Sequence, residues 1–262
     1  MSRSEEFRAL HAAGEPLVLP NAWDYASGAA LAAAGHPAVG TTSLGVAAAA
    51  GKPDAAAATR DETVALTRAL VGLPVLVTVD IEAGFADDPG EVAELAATLA
   101  EAGAVGVNLE DGRADGTLTD PARHAAKIAA IRARAPELFV NARTDTYWLP
   151  GAAGPDPLAA TLDRLVAYRG AGADGAFVPG IADPDDVTAV VAAGLPLNVL
   201  FLPGRHTLPE LAGLGVARVS TGSLLFRAAL AAAVRAAGEV RAGRTPDTAG
   251  LPSYAEVRRL TG

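Results

Sequence analysis

Short apolar runs alternate along the chain with longer segments whose apolar positions recur at helical spacing. Residues 17–22 read as a strand and 25–34 as the helix that follows it. The same pairing repeats as strand 38–43 with helix 61–71, strand 75–81 with helix 89–102, and strand 105–109 with helix 121–135. It continues as strand 139–143 with helix 157–168, strand 176–178 with helix 183–193, strand 197–201 with helix 207–214, and strand 218–221 with helix 224–242. The run 75–81 is the strongest strand, because it is almost wholly apolar and rich in valine. Helix starts are marked by Asp before Pro, as at Asp120-Pro121 and Asp183-Pro184, where Pro fits the first helical position and Asp caps it. Gly35, Gly103, Gly172 and Gly215 each lie between a helix and the next strand, where a glycine in the left-handed conformation ends the helix.

About eight strands, each followed by a helix, predict a parallel sheet, and that number closes it into an α/β (β/α)8 TIM barrel. An open doubly wound sheet is disfavoured, since Pro20-Asn21-Ala22-Trp23-Asp24 stands where a glycine-rich fingerprint would follow the first strand. No linker divides residues 1–262, which read as one barrel domain. Residues 243–262 form a C-terminal tail with a short helical pattern at 254–260, packing on the barrel or on a second subunit. The segments 51–59 and 112–119 are long or polar loops of the kind that often act as lids.

Composition narrows the function. With 50% hydrophobic and 19% charged residues in 262, the chain is a globular one able to bury a large core. It has no cysteine, which excludes disulfides, thiolate metal sites and a cysteine nucleophile. Neither a secretory leader nor a membrane span is visible, so a cytoplasmic location is expected. The net charge of −9 argues against nucleic acid as a partner. It leaves room for a small anion, because a bound cation reverses the local field.

A barrel places its chemistry at the C-terminal ends of its strands. Strand three ends Val79-Asp80-Ile81-Glu82, and positions two apart share a face. Strand four ends Asn108-Leu109-Glu110-Asp111 and strand five Asn141-Ala142-Arg143-Thr144-Asp145. Asp80, Glu82 and Glu110 therefore form a candidate rim of hard oxygen donors, suited to Mg²⁺ or Mn²⁺. Arg143 presents a planar fork to a carboxylate or phosphonate. Other polar residues read more plainly: Asp111, Asp145 and Asp156 as loop residues or helix caps, and His124 and His206 as surface or packing residues. Trp23, Tyr147 and Trp148 read as packing near loops. Ser220-Thr221-Gly222-Ser223 offers a short phosphate cradle.

From about residue 17 to 242 the sequence resembles the isocitrate lyase/phosphoenolpyruvate mutase superfamily. The resemblance is carried by Leu19-Pro20-Asn21-Ala22-Trp23-Asp24, Thr42-Ser43-Leu44-Gly45-Val46, Gly51-Lys52-Pro53-Asp54, Val79-Asp80-Ile81-Glu82-Ala83-Gly84-Phe85, Asn108-Leu109-Glu110-Asp111 and Asn141-Ala142-Arg143-Thr144-Asp145, in that order. It implies a Mg²⁺-dependent barrel acting on C–C or C–P bonds of 2-oxo acids and related carboxylates, and a homo-oligomer, dimer or tetramer. By the same resemblance Asp80 is the direct metal ligand, Glu82 stands where the family usually has a second Asp, and Glu110 is the third acid. Asp54 is the acid near the reacting centre. Thr42, Ser43 and Leu44 belong to the loop that binds the substrate carboxylate, Arg143 is the substrate-contacting arginine, and Asn198 is a further polar position on strand seven.

Two departures qualify this. The lyase segment Lys-Lys/Arg-Cys-Gly is absent, residues 111–119 standing in its place, and Gly180 occupies the region where lyases carry a glutamate. The sequence thus resembles a divergent, mutase-like branch (similar to carboxyvinyl-carboxyphosphonate phosphorylmutase). An alternative from another class is a carboxylate-binding barrel that lacks, or has replaced, the lyase acid/base. A third is a metal-free sugar-phosphate barrel resting on the Ser220–Ser223 segment.

Overall fold

The computed structural model describes residues 1–12, 14–149 and 151–260. Among them are nine strands, each parallel to its neighbours: β1 (Leu17–Leu19), β2 (Asn21–Ala22), β3 (Ala38–Thr41), β4 (Leu76–Asp80), β5 (Gly106–Glu110), β6 (Phe139–Arg143), β7 (Gly175–Phe177), β8 (Leu197–Leu200) and β9 (Arg218–Ser220). β1 pairs with β9 and β2 with β3, so the first stave joins both ends of the sheet. That stave is the predicted strand 17–22, broken in the middle by Pro20. Proline has no N–H for a ladder, while its carbonyl still accepts the Gly40 N–H at 2.9 Å. Nine segments therefore make the eight staves of a nearly closed (β/α)8 barrel.

Outside the strands run α2 (Tyr25–Ala33), α4 (Arg60–Leu70), α5 (Pro89–Ala102), α6 (Pro121–Arg134), α7 (Pro157–Gly170), α8 (Pro184–Ala192), α9 (Leu208–Gly213) and α10 (Leu224–Arg241). Asp88, Asp120, Asp156 and Asp183 cap α5 to α8 through side-chain bonds to first-turn N–H groups, each beside a Pro in that turn. Two helices were not expected from the pattern. α1 (Arg3–Leu10) has a Ser2/Glu5 capping box and buries only Phe7. α3 (Ser43–Ala49) begins where the strand 38–43 was expected to continue, so that strand ends at Thr41. α11 (Tyr254–Arg259) lies in the predicted tail, whose last residues, 261–262, are outside the described set. No helix among the described residues is long and apolar enough to cross a membrane.

α1 caps the N-terminal end of the barrel. Phe7 packs edge-on to Phe139 at 5.4 Å and joins Leu17, Leu19, Ala38, Leu76 and Val105 in a second apolar cluster. Arg3 and Arg8 fasten the helix through the carbonyls of Val75 and Glu137. Burying one such phenyl ring contributes roughly 1.5–3 kcal/mol. This end is closed by packing, so the chemistry is left to the other end.

Inside the barrel lies a polar layer. Arg218, fully buried, donates to Asn108 Oδ1 at 2.9 Å, and Asn141 Nδ2 donates to the same oxygen at 2.9 Å. Burial lowers the Arg218 pKa to about 9. Gly40 and Gly175 make room for this layer: a Cβ would come within 2.7 Å of Asn21 Nδ2 at the first and 2.9 Å of Asn141 Oδ1 at the second.

His124, on α6, is buried with its ring 4.7 Å from that of Tyr168. Burial, reinforced by Lys127 and Arg164, lowers its pKa from 6.5 to about 3. In the unfolded chain the same imidazole takes up a proton near its ordinary pKa, so the unfolded state binds more protons throughout that window. Stability is therefore full above pH 6.5 and falls as pH drops toward 3, by up to about 1.4 kcal/mol per pH unit for this group. Melting temperatures recorded between pH 7 and 4.5 are expected to fall more steeply for the native chain than for His124→Leu; parallel curves would refute this.

Candidate active site

The C-terminal strand ends gather the acids that the sequence placed there. Asp80 closes β4, Glu110 closes β5 and Arg143 closes β6, in adjacent staves with Glu110 and Arg143 in register. Arg143 is the hub. Its Nη1 lies 2.7 Å from Glu110 Oε2, and its Nε and Nη2 grip Asp145 at 2.7 and 3.1 Å. Its Cζ sits 5.6 Å from the Phe177 ring centroid. Burial disfavours the guanidinium charge, but Glu110, Asp145 and Asp80 more than restore it and raise the Arg143 pKa. Burial is likewise the main reason Glu110 rises to about 8; Arg143 pulls the other way, and Asp80, Asp145 and Glu82 push it further up.

A cavity of about 350 Å³ opens beside this hub, and Thr42, Ser43, Leu44, Asp54, Asp80 and Arg143 all line it. The Ser43 N–H reaches Asp80 Oδ2 at 3.4 Å, and the Glu82 N–H reaches Asp80 Oδ1 at 3.2 Å. Asp54, in the loop after α3, is pushed up by burial and by Asp80, while a hydrogen bond with Ser43 pulls it down. Asn198 is not on the wall of this cavity. It is buried in β8, and its Oδ1 accepts from Ser220 Oγ at 3.0 Å.

Glu82 and Glu110 face a second hollow of about 510 Å³, shared with Ala55, Ala57, Arg113 and Lys127. Both oxygens of Glu82 are engaged, by Ala57 N–H at 3.0 Å and Thr59 Oγ1 at 3.1 Å. Burial raises its pKa, against these two bonds. Among the described residues no three His, Asp or Glu side chains are arranged as a ready metal cage. The donor chemistry nonetheless suits a hard cation. Asp80 is close enough to Asp54, Glu82 and Glu110 to help raise the pKa of each, and among the described residues its carboxylate is held by two backbone N–H groups. Mg²⁺ commonly takes one or two carboxylates and completes its shell with water and substrate.

Several other residues depart from their sequence reading. Asp111 lies in the loop after β5 as read, but it is fully buried and accepts from Arg164 Nη1 at 2.9 Å, Tyr168 OH at 2.7 Å and the Asp145 N–H at 2.9 Å. Asp145 is likewise a loop residue, and it clamps Arg143. The alternation Arg143-Thr144-Asp145 past a strand was the one available signal, since it puts both charges on one side. Asp156 does cap α7, and His124 and His206 pack as read, the latter with Nε2 2.6 Å from the Ala182 carbonyl oxygen. Trp23 and Tyr147 also pack near loops, against Phe226 and onto Asp186, while Trp148 is half exposed on the rim of the first cavity. Ser220–Ser223, read as a short phosphate cradle, lines the first cavity, but two of its N–H groups are spent within the barrel. The Thr221 and Gly222 N–H groups already donate to Asn21 Oδ1 at 3.0 and 2.9 Å. Lys127 and Arg113, on the second hollow, were not singled out in the sequence; Lys127 is held by the carbonyls of Ala83 and Ala86 at 2.8 and 2.7 Å.

The family model for phosphoenolpyruvate phosphomutase matches residues 7–241. The chain belongs to the phosphoenolpyruvate mutase family. An uncharacterized protein of Mycobacterium tuberculosis is 48% identical to it over 238 residues, 90% of this chain and 89% of the relative. The 2-methylisocitrate lyase of Salmonella typhimurium is 30% identical over 194 residues, 70% of this chain and 64% of that enzyme. Among solved structures, a lyase/mutase-type protein of Burkholderia cenocepacia superposes with TM-score 0.88 at 40% identity, covering 98% of this chain and 95% of the other. A phosphonopyruvate hydrolase solved with oxalate and Mg²⁺ shares the fold, with TM-score 0.85 at 23% identity over 100% of this chain and 95% of that one. The superfamily thus contains enzymes that act on small carboxylates, and members of this fold that hold Mg²⁺.

In this barrel the Arg143–Asp145 clamp is buried, and removing one charge of a buried pair leaves the other uncompensated. Asp145→Asn is expected to cost about 3 kcal/mol of unfolding free energy. Urea denaturation measures it, and a loss under about 0.5 kcal/mol, the range of an ordinary surface substitution, would show the clamp to be structurally idle.

Proposed function

We propose that this protein is a Mg²⁺-dependent enzyme that makes or breaks a C–C or C–P bond in a small 2-oxo acid or related carboxylate, as a lyase, mutase or hydrolase. The observation that carries this reading is one cavity walled by Asp80, Asp54, Arg143 and the Ser43–Leu44 backbone, with Glu110 bound to the same arginine. Asp80 would hold the ion, with Glu82 and Glu110 adding negative charge around it. When bound, Mg²⁺ supplies Lewis-acid stabilisation of charge that develops on a substrate oxygen.

The chain's own residues do the rest. Arg143 has five N–H groups and spends part of them on Glu110 and Asp145, so the remaining ones are fixed in direction and available to a substrate carboxylate or phosphonate. Thr42, Ser43 and Leu44 stand where β3 gives way to α3, and the N–H groups of that helix's first turn favour an anion. Asp54, whose pKa is raised by burial and by Asp80, is the group suited to giving or taking a proton in the cavity. It takes the place of the thiol acid/base, since the chain has no cysteine. Asn198 supports the floor through Ser220.

We further infer a cytoplasmic homo-oligomer with the whole chain as one catalytic unit. α10 spans 18 residues yet buries only Phe226, and leaves Leu230, Val234 and Val240 exposed, an apolar face suited to a second copy.

Turnover of phosphonopyruvate, oxaloacetate and substituted malates is to be measured with Mg²⁺, with EDTA, and in Asp80→Ala. Activity on at least one compound is expected, lost on chelation and reduced by at least about a hundredfold in the variant. Undiminished activity in Asp80→Ala would overturn the metal assignment. Tight binding of oxalate with no turnover of any compound would favour a carboxylate-binding barrel instead.

A further inference from the structure

Glu82 engages the loop that carries Asp54 more fully than it engages any other part of the mouth. It lies just past β4 with left-handed backbone, φ 50°. Its Oε2 accepts the Ala57 N–H at 3.0 Å and its Oε1 the Thr59 hydroxyl at 3.1 Å. The segment so held is not at rest by itself: Ala55 and Ala57 both have φ 54°, a conformation that costs an alanine free energy and persists only where the surroundings enforce it. Thr59 adds a second sign. It occupies the N-cap position of α4 but makes no side-chain cap, a bond usually favoured there, because its fully buried hydroxyl goes to Glu82 instead. Asp54, at the start of the segment, lines the first cavity together with Ser43 and Asp80. The loop is therefore fastened by Glu82 at two points, Ala57 and Thr59.

We infer that Glu82 is a positioning residue: by binding Ala57 and Thr59 it holds the 54–59 segment in its strained form and so keeps Asp54 in the cavity beside Asp80. This deepens the proposed function and rests on it for the role of Asp54. It gives a physical use to the longer acid at this position, because an aspartate is one methylene too short to reach both donors from the same backbone.

Hydrogen exchange by mass spectrometry on the full chain tests it, with Thr59→Val, Thr59→Ser and Glu82→Asp beside the native sequence. Thr59→Val removes one charge-assisted hydrogen bond and no carboxylate. Amides of residues 54–59 are expected to exchange about ten times faster in Thr59→Val and in Glu82→Asp, with those of α1 and α5 unchanged, and to return to native rates in Thr59→Ser. Mn²⁺ binding by calorimetry should stay within about twofold of native in Thr59→Val, while kcat for a compound the native enzyme turns over falls and KM holds. Native exchange in both Thr59→Val and Glu82→Asp overturns the proposal. So does equal loosening in Thr59→Val and Thr59→Ser, which would mark a packing effect, or a large loss of Mn²⁺ affinity in Thr59→Val. Failure of the native chain to bind Mn²⁺ with oxalate would instead sink the functional reading, and the exchange result would still decide the anchoring.

Discussion

One guanidinium holds the mouth of this barrel together. Carboxylates from adjacent staves cannot share a buried rim unopposed: at contact distance two like charges repel by several kcal/mol at the dielectric of a protein surface. Arg143 answers this by binding Glu110 from the neighbouring strand and Asp145 from its own loop. The desolvation of such a group is large, so the pairs are sustained by geometry, with a two-point grip on Asp145 and a ring, Phe177, facing the guanidinium. Behind it Asp111 repeats the arrangement with Arg164 and Tyr168, and reaches the Asp145 N–H. The acids at the mouth thus rest on a second, buried tier of charge.

The barrel beneath transmits this order. Arg218 crosses to Asn108, which also receives Asn141, so β5, β6 and β9 are tied through the interior just under the first cavity, whose wall includes Asn108. A polar interior layer is an expensive choice for stability, and here it fixes the relative height of the staves that carry Glu110 and Arg143. Closure depends on a similar economy. The first stave bends at Pro20 so that its two halves pair with different neighbours, and Asn21 in the second half binds Thr221 and Gly222, sealing the seam at the mouth.

Much of this was readable from the residues. The alternation of apolar runs and helical periods gave the strands and the helices that follow them to within a few residues, because each buries a face whose period shows in one dimension. Acids at the ends of consecutive strands pointed to the mouth for the same reason. What escaped were features that depend on contacts between distant segments. α1 is polar along most of its length and is held by one phenyl ring and two arginines reaching carbonyls far along the chain. α3 is not legible as a helix, and its first residue, Ser43, reads as the end of strand 38–43, because Ser, Leu, Gly and Val carry no helical period in seven residues. The burial of the loop residue Asp111 was not visible because its partners, Arg164 and Tyr168, stand more than fifty residues away. In Ser220–Ser223 the sequence shows the N–H groups of a possible cradle but not Asn21, which takes two of them.

The absence of cysteine sharpens what the remaining residues must do. A thiol on a long mobile loop brings its own acidity and its own reach; a carboxyl used in its place has to be tuned and placed by its surroundings. Asp54 has both provisions: burial and Asp80 raise its pKa, and Glu82 binds the segment that carries it. The segment 111–119, standing where the lyase loop would be, is folded back on itself by Arg113 to Thr117 and Thr119 to Asp111 backbone bonds of 2.9 and 2.8 Å. With that loop tied to the buried Asp111 network, the proposed proton carrier is Asp54, on the short strained segment next to α3. Under the proposed function a barrel of this family can do without the thiol, provided that segment is held firmly enough to keep Asp54 in the cavity with Asp80.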